Sequence, residues 1–351
     1  MLLVTLLTKR KIETFGGSNR MSNDIELRVE HLSKFFPVRQ GLLATFFSKE
    51  KLYVHAVNDI SFYVKKKNIF VLAGESGCGK TTTGRLVLRL LEPTAGKIYF
   101  RDKEITSLPK EEMRKLRPKM QMIFQDPYES LNPRMHIRDI VSEPLVVNHL
   151  VQDKSEIEAR VVDALESVGL APPENFIDRF PHELSGGQRQ RVAVARALIT
   201  EPEFVVADEP VSMLDASIRS SILNLMLELR DKKNLTYLFI THDLAVASYI
   251  GDYIAIMYLG KIVEIGDIEK VMTNPQHPYT KALIAAVPEP DPTIKKERIP
   301  LKGEPPSPIK LPKGCIFSGR CPFAFERCNN KEPTMIKVEE DHYAACFLLE
   351  K

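Results

Sequence analysis

The sequence has no run approaching the ~20 consecutive apolar residues of a membrane-spanning helix, so no transmembrane segment is predicted. It has little excess charge. Its 49 Lys and Arg stand against 46 Asp and Glu, a formal net charge of +3, which leaves no electrostatic footprint for nucleic acid. An export signal is also missing. Met1–Leu7 is apolar but short, and Lys9, Arg10 and Lys11 follow it, whereas a signal peptide carries its positive charge first. Met21 stands just before the strand-like Asp24–Val29, so translation is expected to begin there, with residues 1–20 untranslated or a floppy tail and residues 1–24 an extension outside the folded domain. Five cysteines without export argue against a disulfide scaffold, because the cytosol keeps thiols reduced. No internal repeat is visible. With 351 residues and 44% hydrophobic content, the chain can bury one large domain plus an appendage, or two domains.

Apolar runs at Val54–Val64, Ile69–Ala73, Met120–Phe124, Phe204–Ala207 and Tyr237–Ile240 read as strands. Helical spacing is found over Thr81–Leu91, Glu156–Val168, Gly187–Ile199 and Ser217–Arg230. Strands alternating with helices predict an α/β fold with a parallel sheet. Near residue 266 the pattern changes to two short helices, Ile268–Met272 and Tyr279–Ala286. Eight of the 24 prolines then fall between Pro288 and Pro312, which favours extended backbone and marks residues 266–313 as a helical and proline-rich linker.

Gly74-Glu75-Ser76-Gly77-Cys78-Gly79-Lys80-Thr81 matches the phosphate-binding loop in full, between a buried strand and a helix. Glycines let the backbone wrap closely, so that N–H groups and the helix N-terminus face phosphate oxygens. Lys80 offers a positive charge to the β- and γ-phosphates, and Thr81 a hydroxyl to Mg²⁺. Cys78 contributes backbone only. Phe204-Val205-Val206-Ala207-Asp208-Glu209 brings two carboxylates to a strand end. Asp208 suits Mg²⁺, and Glu209 suits polarising the attacking water. Leu184-Ser185-Gly186-Gly187-Gln188 opens a helix with a good cap at Ser185 and free backbone N–H groups.

In this order, over roughly residues 25–265, these motifs resemble the ATP-binding cassette (ABC) transporter ATPases. The resemblance implies a P-loop ATPase with a RecA-like core, an antiparallel β-subdomain and a helical subdomain at about 127–200. It implies that residues Gly74 to Thr82 bind the nucleotide, and that Ser185, Gly186, Gly187 and Gln188 reach ATP held by a partner cassette. Gln125, in Ile123-Phe124-Gln125-Asp126-Pro127, then touches Mg²⁺, Asp215 lies in the D-loop, and His242 senses the γ-phosphate. Lys80, Gln125, Glu209 and His242 are thus the catalytic set. Of Lys34-Phe35-Phe36-Pro37, Phe36 is expected to stack on adenine, with Phe35 the second choice. Val211 stands where many members carry threonine.

Glu75–Arg85, Asn274-Pro275-Gln276-His277-Pro278-Tyr279-Thr280 and Pro305–Pro308 are similar to the oligopeptide/dipeptide importer branch, and more narrowly to its F-type ATPase. That likeness implies a D-type cassette as heterodimer partner, two transmembrane permeases and, indirectly, an extracytoplasmic binding protein. The site of action is then the cytoplasmic face of the membrane. Oligosaccharide or nickel is the alternative cargo, and a soluble non-transport cassette protein the alternative class.

Residues 314–351 hold Cys315-x5-Cys321-x6-Cys328-x17-Cys346. Four thiolates are a ligand set for an iron–sulfur cluster or a structural zinc. The wide spacing suits a cubane better than zinc, and the family carries a [4Fe–4S] cluster on tail cysteines in this arrangement. Zinc is the minor alternative, and unliganded or oxidised thiols are the remaining reading. A module this small needs metal for its folding energy.

Overall fold

The computed structural model describes residues 24–38, 52–287 and 299–350. The expected N-terminal extension up to residue 23, Met21 included, and residues 288–298 of the proline-rich stretch lie outside the described residues.

The chain opens with β1 (Ile25–Pro37) and β2 (Tyr53–Lys65), which pair antiparallel. Bulges interrupt their register around Leu32, beside the positive φ of His31 and Asp59, and curl the ribbon. The next strands are β3 (Ile69–Ala73), β4 (Ala95–Phe100) and β5 (Lys103–Glu104). A four-stranded antiparallel sheet runs in the order β2-β1-β4-β5. Its apolar face, Leu27, Val29, Phe62 and Ile98, packs with Phe70, Leu72 and Leu86.

The larger sheet adds β6 (Met120–Ile123), β7 (Phe204–Asp208), β8 (Thr236–Thr241), β9 (Tyr253–Tyr258), β10 (Lys261–Asp267), β11 (Ile336–Glu339) and β12 (His342–Ala344). Its order is β11-β12-β10-β9-β3-β8-β7-β6. From β9 to β6 neighbours are parallel, the arrangement that helical crossovers impose. Every residue of β3, β7 and β8 is buried, as expected where both faces of a parallel sheet are covered.

Helices Ile137–Val147, Lys154–Ser167 and Gly186–Leu198 pack on one another through Val141, Leu145, Val161, Leu165 and Val192. The helix expected over Thr81–Leu91 spans Lys80–Val87, because Leu88 leaves helical geometry and Arg89 turns to φ 48°. At the other end β12 hydrogen-bonds to β10, so the eight-stranded sheet continues beyond residue 265 into the cysteine-bearing segment. Among the described residues, no helix is long and apolar enough to cross a membrane.

Candidate functional site

The phosphate loop leaves β3 at Gly74, and Lys80 opens the following helix. Ser76 and Gly77 form its exposed crest, while Gly74, Cys78 and Lys80 are buried. The Lys80 ammonium donates to the carbonyls of Gly74 (2.8 Å) and Glu75 (3.0 Å), curling the loop around itself. The Cys78 thiol is pushed up by burial and stays protonated, in keeping with a backbone-only contribution. The Cys78 carbonyl accepts from Gly260 N–H at 2.9 Å, in the β9–β10 turn.

β7 and β8 end beside this loop. Thr81 Oγ1 donates to Asp208 Oδ1 at 3.0 Å. Asp208 is 3% exposed, and burial raises its pKa against the Thr81 hydrogen bond. A hydroxyl and a buried carboxylate are hard oxygen donors and fit Mg²⁺, which is held by few protein ligands plus substrate phosphates. Glu209 adopts φ 46° and is anchored by its N–H to the Ile240 carbonyl (2.9 Å). Its Oε2 accepts from Gln125 Nε2 at 3.3 Å and meets His242 Nδ1 at 2.9 Å. Lys80, Thr81, Asp208, Glu209, Gln125 and His242 therefore gather from four segments at the ends of the parallel strands, where α/β sheets bind ligands.

The helix Gly186–Leu198 begins with a capping box: Gln188 N–H donates to Ser185 Oγ (3.3 Å), and Ser185 N–H to Gln188 Oε1 (2.9 Å). Among the described residues, no hydrogen bond or ion pair links Ser185, Gly186, Gly187, Gln188 or the exposed Asp215 to the phosphate loop. Phe35 and Phe36 are both half-buried on β1. Phe35 is engaged with the His55 ring at 4.5 Å, whereas Phe36 has the Lys34 ammonium 5.1 Å from its centroid.

Sequence reasoning missed a second group on which the loop leans. Glu264 on β10, fully buried, accepts from the N–H groups of Gln276 (2.7 Å) and His277 (2.9 Å), and meets His342 Nε2 at 2.8 Å. His277 Nδ1 accepts from Tyr279 N–H at 3.1 Å, capping the helix Pro278–Ala285. The Tyr279 hydroxyl in turn accepts from Glu75 N–H at 3.0 Å. Tyr258, Tyr279 and Phe317 form a ring cluster with centroids 4.7–5.4 Å apart. Asn274–Thr280 was legible as a family mark, but Glu75, the loop residue that Tyr279 holds, lies 204 positions away.

These histidines give stability a signed pH dependence. Burial pulls His277 from 6.5 down to about 4. The unfolded chain therefore binds the extra proton between those values, and stability falls as pH drops through that window. His342 behaves oppositely: burial lowers its pKa, but hydrogen bonds to Glu264 and Glu339 outweigh that and raise it above 6.5. Its contribution is complete below 6.5 and lost as pH rises through the raised value. Thermal unfolding measured across pH is expected to peak near 6.5. His277→Asn keeps a capping acceptor and should flatten the acid limb, which amounts to at most about 3 kcal/mol; an unchanged limb would refute the assignment.

All five cysteines are free. Cys321, Cys328 and Cys346 are buried and Cys315 half-buried. Burial, then the neighbouring charges of Cys328, Cys346 and Cys321, push Cys315 up to about 11. Cys321 is raised by burial and by Cys328, and Cys346 by burial and by Cys321 and Cys328. In type and number the four thiols fit a thiolate-ligated centre. Among the described residues, no three His, Cys, Asp or Glu side chains form a group that could hold a metal ion. The expected metal-binding character of this segment is therefore not visible in its side-chain placement.

A phosphate loop joined to a buried Asp–Glu strand end on a parallel sheet defines a P-loop ATPase. The ABC transporter family pattern matches residues 57–212, and that of the oligopeptide/dipeptide transporter C-terminal region matches residues 263–328. The dipeptide transport ATP-binding protein DppF of Haemophilus influenzae is 44% identical over 332 residues, 93% of this chain and 99% of that one. The oligopeptide transport ATP-binding protein AppF of Bacillus subtilis is 46% identical over 325 residues, 92% of this chain and 97% of that one. Among solved structures, a dimeric ATP-binding cassette in a post-hydrolysis state bound to ADP and phosphate superposes with a TM-score of 0.60. It is 27% identical, covering 69% of this chain and 98% of its own. The chain belongs to the ABC transporter ATP-binding proteins, in their oligopeptide/dipeptide transporter family. It is an ATPase.

Proposed function

We propose that this chain powers an importer of oligopeptides or dipeptides, working at the cytoplasmic face of a membrane with two permease subunits and a D-type cassette. An extracytoplasmic binding protein would deliver the cargo. The observation that carries this reading is the near end-to-end match to dipeptide and oligopeptide transport ATP-binding proteins, C-terminal region included.

In the proposed mechanism Lys80 and the loop N–H groups neutralise and orient the triphosphate of ATP, with adenine on Phe36. Thr81, Asp208 and Gln125 would hold Mg²⁺, which supplies charge neutralisation at the β- and γ-phosphates. Glu209 orients the attacking water, and its contacts to Gln125 and His242 fix the carboxylate's direction. Ser185–Gln188 and Asp215 would complete the partner cassette's site. The dimeric state of the solved cassette supports that division. The four tail cysteines would hold a [4Fe–4S] cluster. The number of the four thiols and their wide spacing support that reading over a single zinc.

Anaerobic purification of the tagged chain from detergent-solubilised membranes of its own host is the test. Two permeases and a second cassette are expected to co-purify, with iron and an absorbance shoulder near ~400 nm. A chain recovered without permeases would overturn the importer, and a colourless protein with stoichiometric zinc would overturn the cluster. Peptide uptake by the reconstituted complex would fix the cargo; uptake of nickel or oligosaccharide instead would replace it.

A further inference from the structure

Glu75 follows the first glycine of the phosphate loop, and all its polar groups are committed. Its carbonyl accepts from Lys80 Nζ (3.0 Å) and Cys78 N–H (3.3 Å), contacts internal to the loop. Its N–H and carboxylate, however, are held by residues more than 200 positions later. Tyr279 Oη accepts from the N–H at 3.0 Å. Arg320 Nη1 donates to both carboxylate oxygens, at 2.9 and 3.2 Å.

This ion pair is well placed to resist water. The Arg320 side chain is 10% exposed and that of Glu75 30%. Arg320 lies 5.8 Å from the Tyr258 ring, beside Phe317 and the fully buried Tyr279. The turn that presents Arg320 is fixed locally, since the N–H groups of Arg320 and Cys321 both donate to the Phe317 carbonyl at 3.0 Å. That turn lies between Cys315 and Cys321, so the packing of the cysteine module sets the position of the guanidinium.

We propose that Arg320, supported by Tyr279, is a positioning residue for nucleotide binding: it neutralises and orients Glu75, keeping the phosphate loop receptive to a polyanion. Left unpaired, the Glu75 carboxylate would add a negative charge beside the incoming triphosphate. With its N–H already committed to Tyr279, Glu75 leaves the later loop N–H groups to meet the phosphates. The C-terminal module is thereby a working part of the ATP site, and its integrity is read out as nucleotide affinity. The inference rests on the phosphate loop binding ATP.

The experiment titrates AMP-PNP with magnesium into the full-length chain and follows steady-state hydrolysis alongside. Arg320→Ala is expected to raise the nucleotide Kd and the KM for ATP about five- to thirtyfold, with kcat at saturating ATP within twofold of wild type. Arg320→Lys should recover part of the loss. The decisive variant is Arg320→Ala with Glu75→Ala. If Arg320 acts through Glu75, removing the carboxylate restores affinity to within threefold of wild type. A residue that merely holds the module folded would show no such recovery, and that result would overturn the proposal. Tyr279→Phe keeps the ring packing, loses the acceptor, and should weaken binding about threefold. Equal affinity in wild type and Arg320→Ala would also sink the proposal, whereas a wild-type chain that binds no AMP-PNP would instead sink the ATP-site reading beneath it.

Discussion

Glu209→Gln is expected to reduce ATP turnover by about 10²–10⁴-fold while leaving ATP bound. The carboxylate is held at the end of β7 by an unusual backbone turn, with φ 46° and its N–H on Ile240. Its Oε2 is shared between Gln125 and His242. Glutamine fills the same volume and can still accept one of these contacts, but it cannot orient water by accepting its proton. In the proposed mechanism ATP binding depends on Lys80 and the loop backbone, which the substitution does not touch. Rapid-quench measurement of bound nucleotide should find ATP persisting where the native chain yields ADP. Hydrolysis within tenfold of the native rate would remove Glu209 from its assigned role.

The second large effect concerns the loop's backbone. Gly79→Ala is expected to cost at least about 3 kcal/mol in stability, or to abolish nucleotide binding in whatever folds. Gly79 has φ +108°, and an added Cβ would stand 2.1 Å from the Ala56 carbonyl oxygen of β2. That obstacle is backbone in a paired strand, so nothing rotates out of the way. Gly74, at φ +150°, has the same problem with the Met257 carbonyl of β9 at 2.2 Å. Gly77 supplies the internal control. Its φ is +80°, but no atom lies within 4 Å of a Cβ there. Gly77→Ala should therefore cost only the left-handed strain of about 1–2 kcal/mol. Thermal unfolding and AMP-PNP affinity of the two variants measure the difference; equal effects would mean that conformational strain alone, and not contact with β2, governs the loop.

The contrast between these glycines and Arg320 shows what a sequence can disclose. The loop was legible because phosphate chemistry dictates residue types within eight consecutive positions. Asp208 and Glu209 were legible because a buried strand ending in two carboxylates follows a phosphate loop in the same chain. Strand and helix positions followed from periodicity, with ends displaced where a single residue changes backbone, as at Arg89. The β9–β10 hairpin went unread because Leu259, which takes positive φ beside Gly260, is not a residue that announces such a turn. Helix Ile137–Val147 was obscured by Pro144 inside it. The grip of Arg320 on Glu75 spans 245 positions and leaves no spacing to detect. Only the fold brings the two residues together.

The pairing of β12 with β10 also bears on how the chain is made. Until residues 342–344 leave the ribosome, β10 presents a row of unpaired N–H and C=O groups along Glu264, Ile265 and Gly266. An exposed edge of this kind invites pairing with another nascent chain. The Glu264 carboxylate, which ends fully buried against His342, would meanwhile remain in water and oppose premature burial of that edge. The β11–β12 hairpin, synthesised well after β10, is thus the cover of the larger sheet's edge, and that edge is protected from other chains only when the cysteine-bearing segment has closed over it.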